Sequence, residues 1–316
     1  MKNIKLVEVA SELAAGTRGA SLGIGALKTA SFNKKSKYFA KYPVCSVPTH
    51  NEGLLNDVQN PYAKRIVSVR KVLENTANCL QETLEEGSFP LVLGGDHSTA
   101  GGTLAGLKRI YPDKEIGVIW VDAHADLHTP YTTPSGNMHG MPLAMASALD
   151  NLNCQINEPS ETTVEEWNRI KAIGGNKPSI EPQNIIYFGV RDTEAPEESL
   201  MKEYSIKNFT VAEVRNKGVE ATLSEAFERL SHCDLIYVSF DVDSMDPEIS
   251  RGTGTPVPNG FTVEEATEIN IGLIENEKVV CWEMVEINPT LDEHNRMADT
   301  AFGILEKVTE AYENNR

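Results

Sequence analysis

Short apolar runs that close in Gly or Asp recur along this chain, separated by longer segments of helical spacing. This alternation restricts the fold more tightly than any other feature. The runs are Leu91 to Leu93, Ile116 to Val121, Ile185 to Val190, Leu235 to Phe240 and Val279 to Val285. Each is apolar on both faces and so needs cover on both, which a strand finds in the middle of a mostly parallel sheet flanked by helices. Between the runs, Ile66, Val69, Leu73, Ala77, Leu80 and Leu84 recur three or four residues apart, as do Met297, Ala301, Ile304, Leu305 and Val308. Such stripes are the core-facing sides of helices. The pattern predicts an α/β fold with three αβα layers around a mostly parallel central sheet.

α/β enzymes of this length, 316 residues, often form a single unit, and residues 1–316 are read as one domain. The polar stretch from Asn151 to Pro182, with a helical segment from Val164 to Ala172, is an excursion between two βαβ units. A boundary there would divide the candidate site described next, whose residues fall on both sides. The terminal Glu313 to Arg316 is expected to fray. Against 46 Asp and Glu stand 29 Lys and Arg, a net charge of −17, which offers no basic footprint to nucleic acid or an anionic membrane. No apolar run approaches the roughly 18 residues that span a bilayer, and the N-terminus leads into no apolar signal core, so a cytoplasmic location is expected. Cys45, Cys79, Cys154, Cys233 and Cys281 are scattered and include no Cys-x-x-Cys pair; they are read as reduced thiols.

Three of the predicted strands end in acids and imidazoles. Leu91 to Leu93 runs into Gly94-Gly95-Asp96-His97-Ser98, Ile116 to Val121 into Asp122-Ala123-His124-Ala125-Asp126, and Leu235 to Phe240 into Asp241-Val242-Asp243. Ligands of parallel sheets bind beyond the carboxyl ends of the strands, so these clusters aim at one crevice. Taken alone, Asp96-His97-Ser98 reads as a helix cap; the convergence of three clusters is what points to chemistry. Four carboxylates gathered in one place repel one another, and without cations some must bind protons. Two divalent ions balance that charge, and His97 and His124 add neutral donors. An oxygen-rich set with two imidazoles and no thiolate favours Mn²⁺, with Co²⁺, Fe²⁺ or Ni²⁺ as substitutes. A two-metal hydrolytic centre follows, in which a bridging water is deprotonated near neutral pH.

Together with Ser239-Phe240-Asp241-Val242-Asp243-Ser244-Met245-Asp246-Pro247, these motifs resemble those of the ureohydrolases, the binuclear manganese enzymes that include arginase, agmatinase, guanidinobutyrase and formimidoylglutamase. The resemblance runs from about Gly94 to Pro289. It implies an arginase/deacetylase-like sheet and two Mn²⁺ per subunit, one held by His97, Asp122, Asp126 and Asp241, the other by His124, Asp122, Asp241 and Asp243. It implies that Glu286 grips the substrate guanidinium, that Thr255 lies near it in the Gly252-Thr253-Gly254-Thr255-Pro256 segment, and that His139 protonates the leaving amine. It also implies a homotrimer or a hexamer of trimers. His50, His232 and His294 match no part of the pattern and are read as surface or core residues.

The segment Leu127 to Gly140 resembles the arginase loop more than its agmatinase counterpart. In arginases that loop receives the substrate's α-carboxylate through positions matching His128, Ser135 and Asn137. The Gly189 to Glu197 segment resembles the part that receives the α-ammonium, with Asp192, Glu194 and Glu197 as the matching acids. His128 stands where arginases usually carry Asn, and Glu194 where they usually carry Asp. The expected reaction is hydrolysis of L-arginine to L-ornithine and urea by a metal-bridging hydroxide, with Asp126 counted among the catalytic residues. The rivals are another ureohydrolase activity on a small guanidino substrate, a non-catalytic guanidino-binding protein, and an amide hydrolase of the related deacetylase fold.

Overall fold

The computed structural model describes residues 3–315. Eight strands form one sheet: β1 (Ile4–Val9), β2 (Val44–Ser46), β3 (Phe89–Gly94), β4 (Ile116–Val121), β5 (Ile185–Phe188), β6 (Lys207–Phe209), β7 (Leu235–Asp241) and β8 (Val279–Val285). Their order is β2-β1-β3-β8-β7-β4-β5-β6, and every pairing is parallel. The sheet is therefore parallel throughout, not just mostly so. Helices cover both faces and leave two apolar cores, one on each side. β3 and β4 are fully buried along their lengths, as their unbroken apolar sequences require.

The two helical stripes become the helices Ile66–Glu85 and Arg296–Asn315, each with its stripe buried. The excursion carries the helix Glu161–Lys171, which starts three residues before the sequence suggests because the Ser160 hydroxyl caps the Thr163 amide at 3.3 Å. Trp167 from that helix is buried and donates to Asp150 at 2.9 Å, which ties the excursion to the body.

Two expectations are corrected. Cys45 on β2 and Cys79 on the helix Ile66–Glu85 form a disulfide, 34 residues apart in sequence, so these two are not free thiols; a pairing between such distant cysteines has no local signature. The chain's end does not fray through Glu313. Lys41 reaches the Glu313 carboxylate at 2.7 Å and the Tyr42 hydroxyl reaches it at 2.9 Å, and the last helix continues to Asn315. Arg316 lies outside the described residues. Among the described residues, no helix is long and apolar enough to cross a membrane.

The strand order puts β3, β8, β7 and β4 side by side at the centre. The carboxyl ends of these four strands and the segments that follow them carry His97, Glu286, Asp241 with Asp243, and Asp122 with His124 and Asp126. All the acid and imidazole clusters therefore meet over the middle of one sheet edge.

Candidate metal centre

The loop after β3 is clamped before it presents His97. The Gly95 amide donates to the Val9 carbonyl at 2.9 Å and the Asp96 amide to the Ser11 carbonyl at 2.8 Å. A Cβ at Gly95 would overlap that same Ser11 carbonyl oxygen, so only glycine permits this approach. Asp96, fully buried, accepts from the Ala14 amide at 3.1 Å and the Ser98 amide at 3.0 Å. It braces the loop against the segment after β1 and is not the cap that its sequence context suggests. Burial raises its carboxyl to about 6, aided by the charge of Glu286 and opposed by these hydrogen bonds.

Around His97 the carboxylates converge. Its Nδ1 lies 3.0 Å from Asp122 Oδ2, 3.1 Å from Asp241 Oδ2 and 3.3 Å from Asp126 Oδ2. His124 Nδ1 lies 3.1 Å from Asp243 Oδ2 and 3.5 Å from Asp122 Oδ1. Two sets of donor atoms result, His97 with Asp122 and Asp241, and His124 with Asp122 and Asp243, so that Asp122 belongs to both. The backbone orients these acids: Asp122 Oδ1 accepts from the His124 amide at 2.7 Å, Asp241 Oδ1 from the Asp243 amide at 2.7 Å and Asp243 Oδ1 from the Ala123 amide at 3.1 Å. Each acid thus has one oxygen tied down and the other turned to the centre. His97 Nδ1 and Asp122 Oδ2 are buried and face each other at 3.0 Å without an aligned hydrogen bond, an arrangement natural for atoms that share a cation. The donor set fits a pair of divalent ions.

The titration behaviour agrees. Asp126, Asp241 and Asp243 all titrate above the usual carboxylate range, first because they are buried and then because of one another and Asp122. Burial also pushes Asp122 upward, but His124 and His97 more than offset it and hold that acid low. Both histidines are raised in turn by their acids, against burial. A group whose pKa rises on folding stabilises the fold at low pH and loses that contribution as pH climbs through its folded value. The three raised acids and both histidines have this sign; only Asp122 has the other. Metal-stripped protein is therefore expected to melt at progressively lower temperature as pH rises above the ordinary carboxylate range of about 4, and added Mn²⁺ should flatten that decline. Melting curves with chelator and with Mn²⁺ over about pH 5 to 9 check this, and a metal-free protein whose melting is indifferent to pH would contradict it.

Beside the cluster, His139 Nδ1 stands 3.1 Å from Glu286 Oε1, and the same oxygen accepts from the His97 amide at 2.9 Å. Burial lowers the His139 pKa, but the Glu286 hydrogen bond and charge, with Asp126 and Asp96 behind them, carry it up to about 8. Glu286 is correspondingly lowered by His139, against burial. Asp126 and Glu286 both adopt left-handed backbone, φ 50 and 67. That conformation is unfavourable for Glu and is typical of sites where geometry takes precedence over local stability. Thr255 donates to Asp243 Oδ2 at 3.2 Å.

A cavity of about 120 Å³ opens onto these groups, walled in its outer half by His128, Asp192, Thr193, Glu194 and Glu197. A larger cleft of about 580 Å³ lies between residues 36–42 and the last helix, without comparable convergence of donors. His128 Nε2 is 2.6 Å from Glu194 Oε2 and 3.6 Å from Glu197 Oε2. Glu194 and Glu197 also form the N-terminal capping pair of the helix Ala195–Glu203. Asp192 Oδ2 lies 3.8 Å from His124 Nε2. Ser135 is exposed, Asn137 accepts from Lys64 at 3.0 Å, and neither belongs to the cavity wall. Glu286 is likewise off the wall, engaged with His139. One organising residue went unnoticed in the sequence: Arg191, whose guanidinium donates to the Asp243 carbonyl at 3.0 Å and the Val257 carbonyl at 2.7 Å, locking the loops after β5 and β7 together. Carbonyl partners leave no side-chain pattern, so no signal existed to find.

Comparison with known proteins agrees with this geometry. A family model described as "Arginase family" matches residues 2–309. The chain is 33% identical to the arginase of Bacillus subtilis over 309 residues, spanning 97% of each protein, and 33% identical to that of Bacillus caldovelox over 308 residues, 96% of this chain and 97% of the other. The solved structure of the Bacillus caldovelox arginase superposes with a TM-score of 0.83 at 32% identity, covering 98% of both chains.

Proposed function

The chain belongs to the arginase family, and from that premise we propose that it hydrolyses L-arginine to L-ornithine and urea with two Mn²⁺ ions. It is a hydrolase acting on guanidino compounds. The observation that carries the fuller reading is the pair of buried donor sets that share Asp122, with His97 Nδ1 and Asp122 Oδ2 turned to each other without an aligned hydrogen bond. His97, Asp122, Asp126 and Asp241 hold one ion in this reading, and His124, Asp122, Asp241 and Asp243 the other. When bound, such a pair lowers the pKa of a shared water toward neutrality and offsets charge developing on the guanidino carbon's substituents. Manganese is favoured by the oxygen-rich, thiolate-free donors.

The protein's own groups do the remainder. Glu286 offers a carboxylate to the planar guanidinium, a charge-matched pairing, and Thr255 lies beside Asp243 where it can contact the same group. His139, raised to about 8, carries a proton at neutral pH and can deliver it to the departing amine. The outer wall of His128, Asp192, Glu194 and Glu197 holds the far end of the substrate, with Ser135 and Asn137 contributing from the loop beside it. The family resemblance supports a homotrimer or hexamer of trimers, and the acidic surface is compatible with a cytoplasmic protein that binds neither nucleic acid nor membrane.

One observation favours a second reading, a different guanidino substrate. His128 is already engaged by Glu194 at 2.6 Å, and Ser135 and Asn137 stand off the wall, so the carboxylate-binding side is sparse while the acidic side is complete. Agmatine, guanidinobutyrate, guanidine and formimidoylglutamate are the compounds to compare with arginine on Mn²⁺-loaded protein. Urea from arginine at the highest kcat/KM supports the first reading. A preference for one of the others moves the protein within the family, and tight calorimetric binding with no product from any of them would make it a guanidino-binding protein.

A further inference from the structure

Under the metal centre, inside the sheet, lies a carboxylate that none of the steps above uses. Glu283 in β8 is fully buried and stands in register opposite Ser239 of β7. Its Oε2 accepts from the Tyr237 hydroxyl at 2.6 Å and its Oε1 from the Thr99 hydroxyl at 2.8 Å. Tyr237 and Ser239 are two residues apart on β7, so both side chains leave the same face of the sheet, and the Ser239 hydroxyl lies 2.8 Å from His97 Nε2. A file of polar groups therefore runs from Glu283 through Tyr237 and Ser239 to the edge of His97 that faces away from the acids. Burying a carboxylate in an apolar sheet is expensive even when it is well bonded, so a residue of this kind calls for a role.

The chemistry of the file sets its direction. A carboxylate oxygen accepts, so the Tyr237 hydroxyl donates to Oε2. The Tyr237 oxygen is then left to accept the Ser239 hydrogen. With its hydrogen committed, the Ser239 oxygen accepts from His97, and Nε2 must carry the proton. Nδ1 is thereby left with its lone pair, and Nδ1 is the atom that faces Asp122, Asp126 and Asp241. The ring plane is held separately: Trp120 stacks on His97 at 4.0 Å between centroids, 5° from parallel. A metal-binding imidazole needs both its tautomer and its orientation fixed by groups outside the coordination sphere.

We infer that Glu283 is a positioning residue of the metal centre, which through Tyr237 and Ser239 holds His97 in the tautomer that offers Nδ1 to an ion. The inference rests on the two-ion reading of the site. Its test uses Mn²⁺ as the probe on metal-stripped wild-type protein and on Tyr237→Phe, Glu283→Met, Ser239→Ala and the Tyr237→Phe/Ser239→Ala double variant. Calorimetry gives the two Mn²⁺ affinities. Each single variant is expected to weaken one Mn²⁺ site by about 10- to 100-fold and leave the other within about twofold. The double variant should fall near the singles instead of at the product of their effects, because both cut one file. A role in packing alone would lower the melting temperature without separating the two sites, and that result overturns the inference. So does an effect confined to Ser239→Ala, since it would end the file at Ser239. Should Glu283→Met fail to fold, Tyr237→Phe, which removes a single oxygen, decides the matter. Wild-type protein that takes up no Mn²⁺ would instead sink the two-ion reading, a failure distinct from wild-type protein and variants that all bind two ions alike.

Discussion

Asp122→Ala is expected to strip the protein of both metal ions and to cut hydrolysis of its guanidino substrate by more than about 10³-fold, since metal-lowering of a water's pKa spans about eight units. Asp122 is the acid common to both geometric donor sets; Asp241, assigned to both ions in the proposed reading, is the other position where a substitution should reach both. Asp122 Oδ2 faces His97 at 3.0 Å while Asp122 Oδ1 lies on the His124 side. Removing Asp122 also strands charge. The remaining acids are mutually repulsive, and a pair of unit charges about 4 Å apart at an effective dielectric of about 20 costs about 4 kcal/mol. Without the ions, Asp126, Asp241 and Asp243 stay buried beside one another with no cation to offset their charge. Asp126→Ala should be milder, loosening the His97-side ion and sparing the other. The measurement is metal content by elemental analysis after dialysis, alongside activity with Mn²⁺ in excess. Two ions per chain retained in Asp122→Ala would refute the bridging role.

How far the sequence disclosed this centre depended on whether the informative contact was local. β3, β4 and β7 are apolar runs followed at once by acid or imidazole, so strand and ligands could be read from adjacent letters. β1 interleaves Lys5 and Glu8 with its apolar residues, and β6 is only Lys207 to Phe209; neither shows the unbroken run that marks a central strand, and both were missed with β2. Pairings between distant residues were equally silent. The His139–Glu286 contact joins positions 147 residues apart, and Cys45 finds Cys79 across 34. The His128–Glu194 ion pair changes what His128 has left to offer a substrate, yet neither residue announces the other. Glu283 looked like one more letter of an apolar strand, and its meaning comes only from the register that sets it opposite Ser239. Strand ends reveal ligands; registers and loop encounters reveal what orients them.

Glu286→Gln should leave both ions in place and reduce kcat/KM by more than about 10³-fold, a loss of roughly 4 kcal/mol of transition-state stabilisation. Two effects combine. The amide presents no charge to the guanidinium, so the pairing that anchors the substrate's cation is lost. It also withdraws the largest influence raising His139, whose value of about 8 derives first from the Glu286 hydrogen bond and charge working against burial. If protonated His139 is the group that supplies the leaving amine, wild-type turnover falls as pH rises through about 8, because the acid form is then depleted. In the variant the same limb must move to lower pH, since a neutral neighbour no longer favours the imidazolium. The residual activity is therefore expected to decline across the neutral range where the wild type is still flat, while the Mn²⁺ content stays at two per chain. Comparing kcat against pH for both proteins separates the parts: a lowered but unshifted profile would assign Glu286 to the substrate alone and remove His139 from its influence, whereas full activity would dismiss both roles.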